Sequence, residues 1–269
     1  MTSRILLMIA GATLALSSCK KETVKQQINT GKIEFEFVHK VRSQSLHADS
    51  LCYVNLAGNP YEGDELKYFI SDVYLHNVTG SKIHLDAQTA IHYVDIDYPE
   101  TLGWKVFDPI PAGTYDSISF VFGLNEERNV SFAFVNPPEV NMFWPTVLGG
   151  GYHYLMINGK WENLQGEIMP FDFHLGIGQT YSGVTSSVDS ITGFVQNYFE
   201  VKLPLSNLII NDTSTYKIEL AMDIESWFET PHTWDFNDWG NYIMQNQLAM
   251  RTACENGYDV FSISSITKY

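Results

Sequence analysis

Residues 32–39 read Lys-Ile-Glu-Phe-Glu-Phe-Val-His, and this stretch decides the fold class. Ile33, Phe35 and Phe37 alternate with charged residues, a period of two that is typical of a β-strand with one buried face. The same kind of strand pattern returns at 66–76, 81–85, 89–96, 115–123, 152–161, 168–175, 197–203 and 215–224. Many short strands with turn residues between them predict an all-β fold, a β-sandwich of antiparallel strands.

One short helix is predicted near the C-terminus. Residues 238–255 contain no proline and carry spaced apolar side chains, and Asn256-Gly257 follows as a helix terminator. Residues 177–196 are rich in Ser, Thr and Gly, which predicts a long hairpin loop or an insertion. Because no repeat or low-complexity linker interrupts the chain, we expect residues 32–269 to form one domain.

Composition and charge exclude several classes of protein. The chain has 269 residues, of which 45% are hydrophobic and 17% charged, which is too apolar for a disordered protein. Its 31 acidic and 16 basic side chains give a formal net charge of −15. A protein with this charge repels nucleic acid and anionic membrane surfaces, which argues against either as the main partner. The sequence contains no P-loop, no GxGxxG after a strand, no HExxH and no GxSxG.

The N-terminus has the pattern of a bacterial lipoprotein signal. Arg4 precedes an apolar run over residues 5–16, which is shorter than the roughly 20 residues of a permanent membrane span. Leu16-Ser-Ser-Cys19 has the form of a lipobox, in which the cysteine is acylated and becomes the new N-terminus. We therefore expect a signal peptide over 1–18 and a lipidated tether over 19–31, anchoring the domain at the bacterial cell envelope, in the periplasm or on the outer-membrane surface.

Two further cysteines, Cys52 and Cys254, belong to the mature chain. In an oxidising envelope they could pair, but nothing in the sequence brings them together. A disulfide and two buried thiols are therefore open alternatives. Their spacing differs from that of a CxxC metal pair.

Eight histidines are candidate metal ligands, and two of them stand out. His39 continues the apolar face of residues 33–37, so its imidazole is expected to point inward, where each ring nitrogen needs a partner. A metal ion is one such partner, and a hydrogen bond within the core is the commoner one. His174, in the run 171–176, stands beside a glycine that permits close approach of the backbone.

A second candidate cluster combines Met142-Phe-Trp144-Pro with Gly149-Gly-Gly-Tyr152-His153-Tyr154. Three consecutive glycines permit backbone angles that other residues avoid. A thioether and an imidazole together favour copper, Cu(I) in particular, over magnesium or calcium. The alternative interpretation is a glycine-rich hairpin with a packed tryptophan.

Several short motifs follow one another along the chain: Phe37-Val-His39, Tyr53-x-Asn55, the run 66–75, Met142-x-Trp144, Gly151-Tyr152 and Phe173-His174-Leu-Gly176. Together they resemble the MbnP family, copper-binding proteins associated with methanobactin operons, in the form found in lipoproteins of Bacteroidetes-type bacteria. The resemblance runs from about residue 32 to residue 263, nearly the whole mature chain.

The resemblance implies a β-sandwich envelope protein that binds copper and catalyses no reaction. It implies His39 and His174 as metal ligands, with Trp144 and Met142 as a modified or auxiliary ligand. Some members work with a di-haem partner similar to cytochrome c peroxidases and MauG, which oxidises a tryptophan to kynurenine. In related proteins the modified tryptophan stands two residues before a histidine. Here that position is Phe37, which cannot become kynurenine, so Trp144 is the next candidate.

Two other function classes stay open from the residues alone. Aromatic side chains outside the core would suit a surface module that binds a glycan or another protein without a metal. The abundant carboxylates would allow a glycoside hydrolase, which needs two of them across one bond, but sequence cannot place such a pair.

Overall fold

The computed structural model describes residues 29–183, 186–211 and 213–269. The predicted signal peptide, Cys19 and most of the tether lie outside the described residues. The strands are β1 (Thr30–Val41), β2 (Gln44–Ser45), β3 (Tyr53–Val54), β4 (Pro60–Asn77), β5 (Lys82–His84), β6 (Ile91–Asp95), β7 (Gly103–Lys105), β8 (Ile110–Pro111), β9 (Gly113–Phe122), β10 (Leu155–Glu162), β11 (Ile168–Leu175), β12 (Gly178–Tyr181), β13 (Ile191–Val195), β14 (Phe199–Ile210), β15 (Thr215–Asp223) and β16 (Phe261–Lys268). The α-helices of the described chain are α1 (Phe236–Trp239) and α2 (Gln247–Asn256), and short 3-10 helices lie between the strands, among them Glu139–Met142 and Thr146–Leu148.

Two sheets face each other across the core. The six-stranded sheet has the order β16–β15–β1–β2, with β7 and β8 also paired to β1. The eight-stranded sheet has the order β11–β10–β4–β9–β14, with β3, β5 and β6 also paired to β4. Strands β1 and β15 run parallel, and the other ladders between these strands are antiparallel. The prediction of a β-sandwich is confirmed.

The alternating stretch at the start of the domain forms β1 as expected. Ile33, Phe35 and Phe37 are buried, while Glu34 and Glu36 on the opposite face are half-buried. Burying an apolar side chain of this size completely stabilises the folded state by about 1.5–3 kcal/mol relative to leaving it exposed. This alternation therefore determines which face of β1 meets the eight-stranded sheet.

The eight-stranded sheet is covered on both faces. Its inner face meets the six-stranded sheet, as in the contact of Tyr68 on β4 with Phe261 on β16, at 6.0 Å between ring centroids. Its outer face carries Phe69, which packs against Phe134 and Tyr152 at 5.4 and 6.3 Å. The segment between β9 and β10, residues 123–154, thus covers the outer face and brings the second candidate cluster onto it.

The helix predicted over 238–255 is wrong in its extent. Gly240 and Gln245 have φ angles of +76° and +71°, which end α1 and keep the following residues out of a helix. The chain between them lies against β11, where the Asp172 amide donates to the Asn241 carbonyl at 2.7 Å. Helix α2 starts only after Asn246, whose side chain accepts from the Ala249 amide as an N-cap.

Three other features bear on the sequence predictions. Residues 177–196 do form a hairpin, the two-stranded sheet of β12 and β13. Cys52 and Cys254 are free, and Cys52 is exposed, so neither a disulfide between them nor a pair of buried thiols is present. In the part of the chain that the structure describes, no helix has the length and apolar character needed to cross a membrane.

Candidate metal site

A glycine turn brings Met142 and Trp144 beside His153. Gly149, Gly150 and Gly151 all have positive φ, so a side chain at any of them would strain the turn. Two backbone hydrogen bonds join the segments before and after the turn. The Trp144 amide donates to the Gly151 carbonyl at 2.8 Å, and the His153 amide donates to the Met142 carbonyl at 2.6 Å. The three glycines therefore fold a short antiparallel ladder with Trp144 and His153 on one side.

His153 is buried, and only one of its two ring nitrogens has a hydrogen-bond partner within the described structure. Its Nδ1 lies 2.9 Å from the Met142 carbonyl oxygen, which can only accept, so Nδ1 carries the proton. The lone pair is then on Nε2. This buried atom has no hydrogen-bond partner among the described residues. An unpaired buried nitrogen is costly, and a metal ion is one partner that would satisfy it.

His174 lies next to His153, and a hydrogen bond again determines which ring nitrogen carries the proton. Its Nε2 is 2.6 Å from the side-chain oxygen of Asn158. Because that oxygen accepts, the proton is on Nε2 and the lone pair on Nδ1. The two imidazole rings stand 5.0 Å apart between centroids and almost perpendicular, at 87°. With nitrogen–metal distances of about 2 Å, two rings at this separation are close enough to share one ion.

Both imidazoles are neutral at neutral pH. Burial, with smaller contributions from the nearby His153 and Lys67, lowers the pKa of His174 to about 3. Burial also lowers the pKa of His153 to about 4, against the opposing effect of its hydrogen bond to Met142. A neutral imidazole is the form that binds metals, so neither ring has to lose a proton at pH 7.

Trp144 forms one wall of this site. It is fully buried, and its indole Nε1 donates to the Leu148 carbonyl at 3.1 Å. Its ring meets His153 edge to face at 4.6 Å between centroids. Gly176, directly after β11, lies against the indole so closely that an added Cβ would be 2.6 Å from it. Met142 is fully buried too, and its carbonyl orients His153.

His39 lies elsewhere, with a partner of its own. Its Nε2 is 3.2 Å from the hydroxyl of Tyr68, and burial lowers its pKa to about 4. Phe37, two residues before it, is buried and stacks on His92 at 4.9 Å. The inward orientation predicted for His39 is thus observed, and it serves a hydrogen bond inside the core.

The ladder register shows that His39 and His174 are on opposite faces of the eight-stranded sheet. Tyr68 stands opposite Leu155, and Leu155 opposite Leu175, so these three side chains share the inner face. His174, one residue before Leu175, points to the outer face because neighbouring residues in a strand alternate. The two histidines selected from the sequence therefore do not share one site in this fold.

The MbnP family model matches residues 30–246 of the chain. The chain belongs to the MbnP family. Among solved structures, MbnP from Methylosinus trichosporium matches with a TM-score of 0.48 and 12% sequence identity, over 90% of this chain and 99% of the other. No curated protein matches the chain.

The residues of this MbnP-family chain suit a soft, low-coordinate ion. Within the described chain, no three His, Cys, Asp or Glu side chains are grouped closely enough to hold a metal. An ion in the outer-face site would therefore have two imidazoles, with the indole of Trp144 beside them. Cu(I) accepts few, soft ligands, whereas Ca²⁺ and Mg²⁺ need several oxygens.

Sequence reasoning included His153 in the second cluster without choosing it as a ligand, and it missed Asn158. The signal for His153 was its place after the glycine turn that faces Met142 and Trp144. Asn158 gave no signal, because an asparagine in a strand becomes informative only when the histidine opposite to it is known.

Proposed function

We propose that this protein is an envelope-anchored lipoprotein that captures or stores copper and catalyses no reaction, with His153 and His174 as ligands. The observation that carries the proposal is the buried, unpartnered Nε2 of His153 beside the neutral ring of His174. Membership of the MbnP family supports a metal-related role. The His39 of the sequence prediction is replaced by His153, which lies on the same face as His174.

In this proposal Trp144 and Met142 are auxiliary groups. Both are buried and close to the ladder that holds His153. His153 and His174 would hold the copper ion, which would supply a soft Lewis acid there. The chain buries both imidazoles and leaves one lone pair of each ring directed away from its hydrogen-bond acceptor. Oxidation of Trp144 to kynurenine by a di-haem, MauG-like partner is part of the proposal as a modification. The intact mass of the natively expressed protein would detect it, because kynurenine has one oxygen more and one carbon less than tryptophan.

The cell-envelope location and the lipid on Cys19 belong to the same proposal. They rest on the lipobox in the sequence. Replacing Cys19 by serine should release the protein from the membrane fraction, and the intact mass of the wild type should include a diacylglyceryl group. A wild-type protein that is not acylated would contradict the anchoring.

The decisive experiment measures copper per chain after anaerobic loading with Cu(I). His153→Ala and His174→Ala should each weaken binding at least about tenfold, since removing either ring leaves a single imidazole. His39→Ala is the matched control, an equally conservative truncation on the other face of the sheet, and should keep wild-type stoichiometry. Copper binding that survives both outer-face variants would rule out the site, and a wild type that binds no copper would rule out the function.

A surface that binds another protein is the second candidate, and one observation favours it. Val130, Phe132, Val135 and Val147 are exposed on the segment that covers the outer face, and Phe194 is exposed on the β12–β13 hairpin. Phe194 lies close to Gly149 of that segment, and large exposed apolar patches are typical of interaction surfaces. Cross-linking in the native envelope should then capture one partner, and the capture should be lost in Phe132→Ser but kept in His174→Ala.

A further inference from the structure

Asn158 connects the candidate metal site to a charged pair on the neighbouring strand. It lies on β10 opposite Asp172, two residues from Met156, which stands opposite His174. The side-chain oxygen of Asn158 is 2.6 Å from Nε2 of His174, and its Nδ2 donates to the carboxylate of Glu65 on β4. One amide thus bridges three strands of the outer face.

Glu65 determines which way this amide faces. A carboxylate only accepts hydrogen bonds, so the amide nitrogen of Asn158 must face Glu65 and the amide oxygen must face His174. Glu65 in turn forms an ion pair with Lys67, and their side chains are only 26% and 13% exposed. Because Glu65 is held by Lys67 on one side of Asn158 and His174 lies on the other, the amide of Asn158 has one favourable orientation.

We propose that Asn158, backed by Glu65, is a positioning residue that keeps the proton of His174 on Nε2 and so presents Nδ1 to the metal. This role rests on the proposed copper function, although the position of the proton is a property of the metal-free protein as well. Hydrogen-bond partners of metal-binding histidines fix the tautomer and the ring orientation, and their loss costs about 10–100-fold in metal affinity.

The test compares two variants that treat this contact differently. Asn158→Ala removes the acceptor of the His174 proton. The double variant Glu65→Gln/Asn158→Asp exchanges the amide and the carboxylate, keeps the net charge, and still offers an oxygen to His174 and a donor at position 65. Thermal unfolding establishes that both variants fold. Nitrogen-15 NMR of the metal-free protein near pH 7 then reports the tautomer of His174, and a competition assay reports Cu(I) affinity.

Wild-type His174 should be protonated on Nε2 only. Asn158→Ala should lose about 10–100-fold in Cu(I) affinity, and the double variant should recover to within about threefold of wild type. A wild-type proton on Nδ1, an unchanged affinity in Asn158→Ala, or a loss that the double variant does not recover would each overturn the proposal. If the wild type binds no Cu(I), the copper function fails by itself, and the proton position in the three proteins still decides the role of Asn158.

Discussion

His39 and His174 are both shielded, both neutral at pH 7 and both on strands of one sandwich, yet their surroundings differ. On the inner face, Nε2 of His39 has the hydroxyl of Tyr68 at 3.2 Å as its partner. On the outer face, the ring centroid of His174 lies 5.0 Å from that of His153, whose Nε2 has no hydrogen-bond partner in the described part of the chain.

The difference shows that an inward histidine is not by itself a metal ligand. His39 satisfies its nitrogen with a neighbouring hydroxyl, as most buried polar groups do. The outer-face pair instead directs one lone pair from each ring away from its hydrogen-bond acceptor. Replacing groups on each face should therefore affect copper binding and stability in different combinations.

Trp144→Ala should have the largest effect, because it removes a wall of the outer-face site. The indole is fully buried and bonded to Leu148, so its truncation leaves a large cavity. We expect a loss of about 3–5 kcal/mol in the free energy of unfolding, together with weaker copper binding. Urea unfolding and Cu(I) competition measure the two quantities. A variant that loses stability but keeps full copper affinity would show that Trp144 only supports the fold.

The contribution of His39 to the acid response should come next in size, and it reports on the inner face. His39 has a pKa of about 4 in the folded protein and about 6.5 when unfolded. Above pH 6.5 the ring is neutral in both states, so it adds no pH dependence there. Between pH 6.5 and 4 only the unfolded chain binds the proton, and stability falls with falling pH by at most about 3 kcal/mol.

His39→Gln should remove this contribution. Urea unfolding at pH 7 and at pH 4.5 should therefore give a smaller difference in the variant than in the wild type. Equal differences in the two proteins would mean that the folded protein accommodates a charged His39. In that case folding would not lower the pKa of His39, as for a histidine exposed to solvent.

The comparison of the two faces also shows which features of the fold and of the candidate site can be predicted from sequence patterns. The alternation of apolar and charged residues predicts β1 and the inward direction of His39, because the pattern within one strand indicates which of its faces is buried. It could not predict that Tyr68 stands beside His39, since that contact joins two sheets. Nor could it pair His174 with His153, because a loop of some thirty residues places His153 on the outer face. The predicted helix over 238–255 is too long for the same reason, since a hydrogen bond with β11 holds Asn241 outside a helix.

Gly176→Ala should disturb the outer face by a smaller amount. An added Cβ would be 2.6 Å from the Trp144 ring, which its bond to Leu148 keeps from moving away. We expect a loss of about 1–3 kcal/mol and weaker copper binding. Gly103→Ala is the matched control, because nothing lies within 4 Å of a Cβ there. Equal effects of the two alanines on copper would contradict a close fit of Trp144 against β11.

Tyr68→Phe should have the smallest effect and separates the two faces most cleanly. It removes the hydroxyl that pairs with Nε2 of His39 and changes little else, since the ring stays packed between the sheets. We expect a loss of about 1 kcal/mol, the net value of one hydrogen bond, in urea unfolding. Cu(I) affinity should stay the same, because Tyr68 lies on the inner face with Leu155 and Leu175. If affinity instead fell tenfold, His39 would have to act on the metal, and the ligands would have to be sought on the inner face of the sheet.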